Sequence, residues 1–331
     1  MTTMTQPHTG RSQTGGSGGS GADPSGLDVH TRDLSLRYGK TRALDDLDLD
    51  LGAGRIHGLL GRNGAGKTTL LSILASLLPS GGGVVEVGGR DPFEDEERMS
   101  QISLIREGGN TVGDETLSWN LDLHAAIRPT FDRDWAGHLV TQFGLSPDAK
   151  PDKLSRGQRS AANAILGLAA RAPLTMFDEV HLGMDAPTRQ LFTDLLIADV
   201  VEHPRTIILS SHLISEIEHL LETVTVLHHG RLLLSAEADD VRRRGVTITG
   251  PVAAVDALGR QLSVVAMRDL GPTRQITAYG ELDERLLADA ERAGLEVSAA
   301  PLQDLFIHLT ADPTAGNTSG NTATSDPEAL S

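Results

Sequence analysis

Gly61-Arg62-Asn63-Gly64-Ala65-Gly66-Lys67-Thr68 meets the pattern G-x-x-x-x-G-K-[ST] at every specified position. The residue types suit a polyphosphate. Glycines at 61, 64 and 66 let the backbone enter conformations closed to other residues, so that successive N–H groups converge on one anion. Lys67 brings a mobile point charge for the terminal phosphates, and the Thr68 hydroxyl is placed to ligate Mg²⁺. Gly61, Arg62, Asn63, Gly64, Ala65, Gly66, Lys67, Thr68 and Thr69 therefore form the candidate nucleotide-binding stretch. A Mg²⁺-nucleotide site also needs a carboxylate at the end of a buried strand, and Leu174-Thr175-Met176-Phe177-Asp178-Glu179 supplies two. Asp178 is the candidate metal ligand and Glu179 the general base for an attacking water.

The elements that must position these groups are legible nearby. Arg55 to Leu60 reads as a short apolar strand entering the glycine loop, and Thr68 to Leu78 as a helix leaving it. From residue 27 to about 235 strands and helices alternate, with strands over Val29 to Leu36, Leu44 to Leu51, Gly82 to Val87, Leu174 to Phe177 and Thr206 to Ser211. A helical insert interrupts them at about 111 to 170. Within it, Ser155-Arg156-Gly157-Gln158 is a capping-box pattern opening a helix that runs to Ala170, and such a helix start binds anions.

Beyond a charged linker helix at 236 to 245, residues 246 to 311 read as a second unit. Its order is strand 246 to 250, helix 252 to 259, strands 262 to 267 and 273 to 279, helix 283 to 293, strand 295 to 299 and helix 302 to 310. The first six elements suit a ferredoxin-like sandwich. The last helix is amphipathic, with Leu302, Leu305, Phe306 and Leu309 on one face. Residues 1 to 26 and 312 to 331 are too poor in apolar groups to join a core and are expected to be disordered tails.

Composition narrows the function classes. The 331-residue chain has no cysteine, which excludes disulfides and thiol chemistry. Its formal net charge of −16 argues against a nucleic-acid partner. No apolar run approaches a bilayer span, so a soluble, cytoplasmic protein is expected.

The order of glycine loop, helical insert, Leu154-Ser155-Arg156-Gly157-Gln158, Asp178-Glu179, Asp185 and His212 resembles the ATP-binding cassette (ABC) ATPases over roughly residues 28 to 235. The resemblance implies an α/β P-loop NTPase fold of ABC type with a small α+β C-terminal domain. It implies further residue roles. Tyr38 would stack on adenine, His212 would link the γ-phosphate to Glu179, and Asp185 would signal across a dimer. Ser155, Gly157 and Gln158 would face the ATP bound by a second cassette.

Four positions depart from the family pattern. Glu107 stands where a glutamine reaching Mg²⁺ is usual, Arg156 where glycine is usual, and Val180-His181 where Pro-Thr is common. Since Lys67, Asp178, Glu179 and His212 are intact, the resemblance implies hydrolysis of Mg-ATP. It also implies a homodimer or heterodimer of cassettes docked on a separate transmembrane permease, touching the inner face of the membrane only through it and driving export. A soluble, non-transport ABC ATPase and a slow ATP-sensing module are the alternative readings.

Overall fold

The computed structural model describes residues 26 to 280 and 284 to 310. Apart from Gly26, the expected tails lie outside the described residues. In chain order the strands and helices are β1 (Val29–Tyr38), β2 (Thr41–Leu51), β3 (Ile56–Leu60), α1 (Lys67–Leu74), β4 (Val84–Val87), α2 (Glu96–Ser100), β5 (Ile102–Arg106), α3 (Leu117–Ile127), α4 (Arg133–Gln142) and α5 (Arg156–Ala170). There follow β6 (Leu174–Asp178), α6 (Ala186–Glu202), β7 (Thr206–Ser211), β8 (Thr223–His228), β9 (Arg231–Glu237) and α7 (Ala238–Arg244). The remainder is β10 (Gly245–Pro251), α8 (Val252–Gly259), β11 (Val264–Leu270), β12 (Thr273–Tyr279), α9 (Glu284–Arg292), β13 (Glu296–Ala299) and α10 (Leu302–Leu309).

The central sheet has the order β5-β6-β7-β3-β8-β9, parallel except for its antiparallel edge strand β9. Every residue of β3, β6 and β7 is buried, as in a parallel sheet covered on both faces. Thr175, the one polar side chain in the expected strand Leu174 to Phe177, is buried and satisfied, its hydroxyl donating to the Ala172 carbonyl at 3.0 Å. A three-stranded antiparallel sheet, β2-β1-β4, closes one side. Leu70, Leu71 and Leu74 of α1 pack between it and the central sheet, in one apolar cluster with Leu34, Leu47, Met176 and Ile208.

On the other side of the central sheet, α5 lies against β5 and β6 through small residues. Gly167 sits so near the Phe177 ring that a side chain there would collide with it. Helix α1 ends at Leu74, short of the expected Leu78, because Ser76 takes φ 57°. Ser76 N–H then donates to the Ile73 carbonyl at 2.9 Å and Leu77 N–H to that of Ser72 at 2.8 Å, which closes the helix.

The C-terminal unit is an antiparallel sheet of order β11-β12-β10-β13. With α8 between β10 and β11, and α9 between β12 and β13, this is the ferredoxin-like order. Its own apolar cluster joins Val246, Ile248, Val255, Leu258, Ile276, Ala278, Ala290 and Leu295. Helix α10 belongs elsewhere: Leu302, Leu305 and Phe306 pack with Leu60, Ile214, Val224 and Val226 beneath the central sheet.

Candidate functional site

The parallel register brings the expected chemistry together. Leu60 at the end of β3 pairs with Ser211 at the end of β7, and Asp178 at the end of β6 pairs with Ser210. The loops leaving these three neighbouring strands therefore meet at their carboxyl ends, where open α/β sheets bind ligands. Gly64 (φ 81°) and Gly66 (φ 106°) occupy the left-handed region. Gly66 is doubly constrained, since a Cβ there would meet the Ala43 carbonyl at 2.6 Å. As the N-cap of α1 it offers no capping side chain, so the first-turn N–H groups face outward without a side-chain acceptor.

Lys67 is 5% exposed, and its Nζ donates to the Gly61 carbonyl at 2.7 Å and lies 3.2 Å from Glu179 Oε1. The Thr68 hydroxyl donates to Asp178 Oδ2 at 2.7 Å, while Ser210 donates to Oδ1 at 2.5 Å. Both carboxylate oxygens of Asp178 are thus fixed in direction. Glu179 is a non-glycine residue at φ 56° and ψ 23°, a conformation worth on the order of 1–3 kcal/mol of strain. Its Oε1 is shared between Lys67 and His212, whose Nδ1 lies 3.0 Å away. Burial alone would raise the Glu179 pKa, but the His212 hydrogen bond and the Lys67 charge outweigh it and hold the carboxyl below its ordinary value.

Tyr38 enters from the β1–β2 hairpin, where it pairs with Thr41 across the turn at Gly39. The hairpin is tied to the glycine loop through Gly230, whose N–H donates to the Ala65 carbonyl and whose carbonyl accepts from Asp45 N–H, each at 3.0 Å. Between them opens a cleft of about 410 Å³ walled by Tyr38, Thr41, Arg42, Ala43, Glu179 and the stretch Asn63 to Thr69. Tyr38 is 51% exposed there, a free aromatic face beside a phosphate loop. Gly61 and Arg62 lie at the base, their carbonyls accepting from Lys67.

Ser155 caps α5 in a full capping box: the Gln158 N–H donates to Ser155 Oγ at 3.3 Å, and Ser155 N–H to Gln158 Oε1 at 3.0 Å. Gly157 passes Gly183 so closely that a Cβ would sit 3.1 Å from its carbonyl oxygen. Ser155, Gly157 and Gln158 are not among the walls of the Tyr38 cleft. The neighbouring Arg156 faces a separate groove of about 480 Å³ that also includes Glu107, Thr111, Asp152 and Asn163.

Glu107 does not join Thr68 and Asp178. Its Oε1 accepts from both Nε and Nη2 of Arg156 at 2.7 Å, and its carbonyl accepts from Asn163 at 2.8 Å. The carboxylate expected at the metal is paired here with the Arg156 guanidinium. Asp185 is the N-cap of α6, accepting from Thr188 N–H at 2.9 Å.

Two features escaped the sequence, and a third, His181, was noted there only as a departure from the family pattern. Thr41, Arg42 and Ala43 share the cleft with Tyr38, and their position just across a two-residue turn from it was the available signal. Ser210 holds Asp178, which the pairing of adjacent strands alone reveals. His181 is 1% exposed with Nε2 3.0 Å from Ser211 Oγ; burial, then the charge of Arg189, push its pKa down to about 4.

A phosphate loop on β3, a carboxylate pair ending the next strand but one and a histidine ending the strand between define a P-loop nucleotide hydrolase. The family profile described as ABC transporter matches residues 44–181. The daunorubicin/doxorubicin resistance ATP-binding protein DrrA of Streptomyces peucetius is 29% identical over 311 residues, 86% of this chain and 93% of that protein. The bacitracin transport ATP-binding protein BcrA of Bacillus licheniformis is 30% identical over 219 residues, 65% of this chain and 72% of the relative. Among solved structures, an ATP-binding subunit of an ABC transporter superposes with a TM-score of 0.60 at 24% identity, covering 65% of this chain and 92% of the other. A dimeric cassette, MJ0796 bound to ADP and Pi, gives 0.56 at 20%, covering 63% and 98%. The chain belongs to the ABC transporter ATP-binding family and is an ATPase subunit of such a transporter.

Proposed function

We propose that two such cassettes close head to tail around ATP, that the pair is seated on a separate transmembrane permease, and that the cycle drives export. The observation that carries the reading is the separation of the two phosphate-binding elements. The Lys67 loop walls one cleft, while the capped start of α5, at Ser155 and Gly157, lies outside that cleft. One chain therefore lines its cleft from one side, and a second chain supplies the facing donors. No helix among the described residues is long and apolar enough to cross a membrane, so the transmembrane path belongs to a partner.

The residues suit the chemistry. The backbone N–H groups of the glycine loop and α1 receive the β- and γ-phosphates, and Lys67 turns toward them from Glu179. Tyr38 offers its ring to the base. Mg²⁺ would be held by Thr68 and Asp178, a hard-oxygen pair at 2.7 Å, and would neutralise phosphate charge. The remaining ligands of the ion would come from phosphate and water. Glu179 accepts a proton from water as the water oxygen bonds to the γ-phosphorus. The bond from γ-phosphorus to the β–γ bridging oxygen breaks, leaving ADP and phosphate. His212 holds Glu179 in place and donates toward the transferred group.

Export is favoured because the relative aligned over 311 residues, beyond the length of a cassette, bears drug resistance in its name. The test is Glu179→Gln. Its phosphate release should fall by about 10²-fold or more, and with Mg-ATP it should accumulate as a dimer by light scattering. A monomer at saturating Mg-ATP overturns head-to-tail closure, and wild-type release overturns the role of Glu179.

A further inference from the structure

The loop that carries His212 is capped from outside the cassette. The first of two 3-10 turns after β7 is Ile214–Glu216, whose N-cap is Leu213, a residue with no side-chain acceptor. The missing acceptor is Gln303 of α10: its Oε1 accepts from Ile214 N–H at 2.7 Å and from Ser215 N–H at 3.3 Å. Those amides stand two and three residues beyond His212. The loop is also tied within the cassette, with Ser211 Oγ accepting from Leu213 N–H at 2.9 Å and Arg189 pairing with Glu216 at 2.6 Å.

The same helix face reaches the foot of the phosphate loop. Leu302, Leu305 and Phe306 close over Leu60, Ile214 and Val224 with a void of only about 10 Å³ between them. Leu60 directly precedes Gly61. Helix α10 thus touches the residues beneath both the Lys67 loop and the His212 loop, while Ala300, just before it, is tied to β10 through an N–H bond to the Gly245 carbonyl at 3.1 Å. A close-packed contact of this kind does not deform freely, so a displacement of α10 must move the His212 loop or open a gap.

We propose that Gln303 is a positioning residue for ATP hydrolysis. By capping the turn after His212 it holds that histidine against Glu179, and it makes the C-terminal unit a control element on turnover. The inference rests on the roles proposed for Glu179 and His212.

The test compares two substitutions in the full chain. Gln303→Met keeps length and apolar packing but removes the acceptor, and should lower kcat about threefold to tenfold with KM for ATP within about twofold. Gln303→Glu keeps an oxygen for both N–H groups and should retain kcat within about twofold. Melting temperatures read in parallel should match the wild type in both. Wild-type kcat in Gln303→Met overturns the inference. So does an equal loss in the two variants, or a loss that follows melting temperature. Glu179→Gln in the same assay separates the two claims: its inactivity beside an active Gln303→Met overturns this inference alone, whereas its wild-type turnover overturns the catalytic reading.

Discussion

Lys67 and Glu179 face each other at 3.2 Å across the foot of the nucleotide cleft, and the same Glu179 oxygen also meets His212. The ammonium proposed to attract the γ-phosphate therefore also helps hold the Glu179 carboxyl below its ordinary pKa. Phosphate and carboxylate compete for it. In the proposed mechanism Lys67 turns to ATP, and Glu179, giving up that charge, becomes a stronger proton acceptor.

Lys67→Met should lower kcat/KM for ATP by on the order of 10²-fold or more, since it removes preorganised charge from both reacting partners. Lys67→Arg should not restore it. A planar guanidinium does not fit the 5% exposed position or its bond to the Gly61 carbonyl. Steady-state phosphate release checks both.

The Arg156 and Glu107 side chains are 65% and 49% exposed, so their pairing should add less than about 1 kcal/mol to stability. Its effect belongs in turnover, where it joins the start of α5 to the loop after β5. Arg156→Gly and Glu107→Gln should each change kcat/KM more than the double variant does. A double-mutant cycle in phosphate release should show coupling that the same cycle in thermal melting lacks, and raised salt should diminish it.

His181 gives stability an acid-side slope. Unfolded it titrates near its ordinary 6.5 and folded near about 4. Between those values the unfolded chain binds the proton and the folded chain does not. Its contribution is therefore complete above about pH 6.5 and declines as pH falls toward about 4, by up to on the order of 3 kcal/mol. Glu179, held below its ordinary value, loses its contribution further into acid. His181→Gln, whose amide can still meet Ser211, should flatten the profile between pH 6.5 and 4 in urea titrations relative to the wild type.

Gly167→Ala tests how α5 is seated on the strand that ends in Asp178. The new Cβ would lie 2.8 Å from Phe177 Cζ and 2.9 Å from Ile105 Cγ1, and Phe177 is fully buried with no room to retreat. A loss of about 1–3 kcal/mol is expected by denaturant titration. Reduced turnover should accompany it, since Phe177 immediately precedes Asp178.

The site was legible where chemistry is written locally. A glycine loop between strand and helix, a carboxylate pair ending an apolar strand and a Ser-x-x-Gln cap each carry their context within a few residues. The C-terminal order was legible for the same reason, as periodicity changes from element to element. What the sequence hid was contact between distant segments. The pairing of Glu107 with Arg156 appears only once α5 is placed, and Gln303 is unremarkable until α10 reaches Ile214. Arg171 and Arg205 converge on the buried Asp199 at 3.0 and 2.6 Å, which no local pattern announces. The early end of α1 was hidden differently: Leu77 and Leu78 continue the apolar pattern, and Ser76 takes the left-handed turn where a glycine would have signalled it.

The seat of α10 also sets an order of events during synthesis. Leu60, Ile214, Val224 and Val226 belong to segments that leave the ribosome well before Leu302, Leu305 and Phe306, yet those later residues cover them. A nascent cassette must expose that apolar floor until the C-terminal unit emerges and folds back. A product broken off before α10 would therefore present a greasy face to chaperones and proteases.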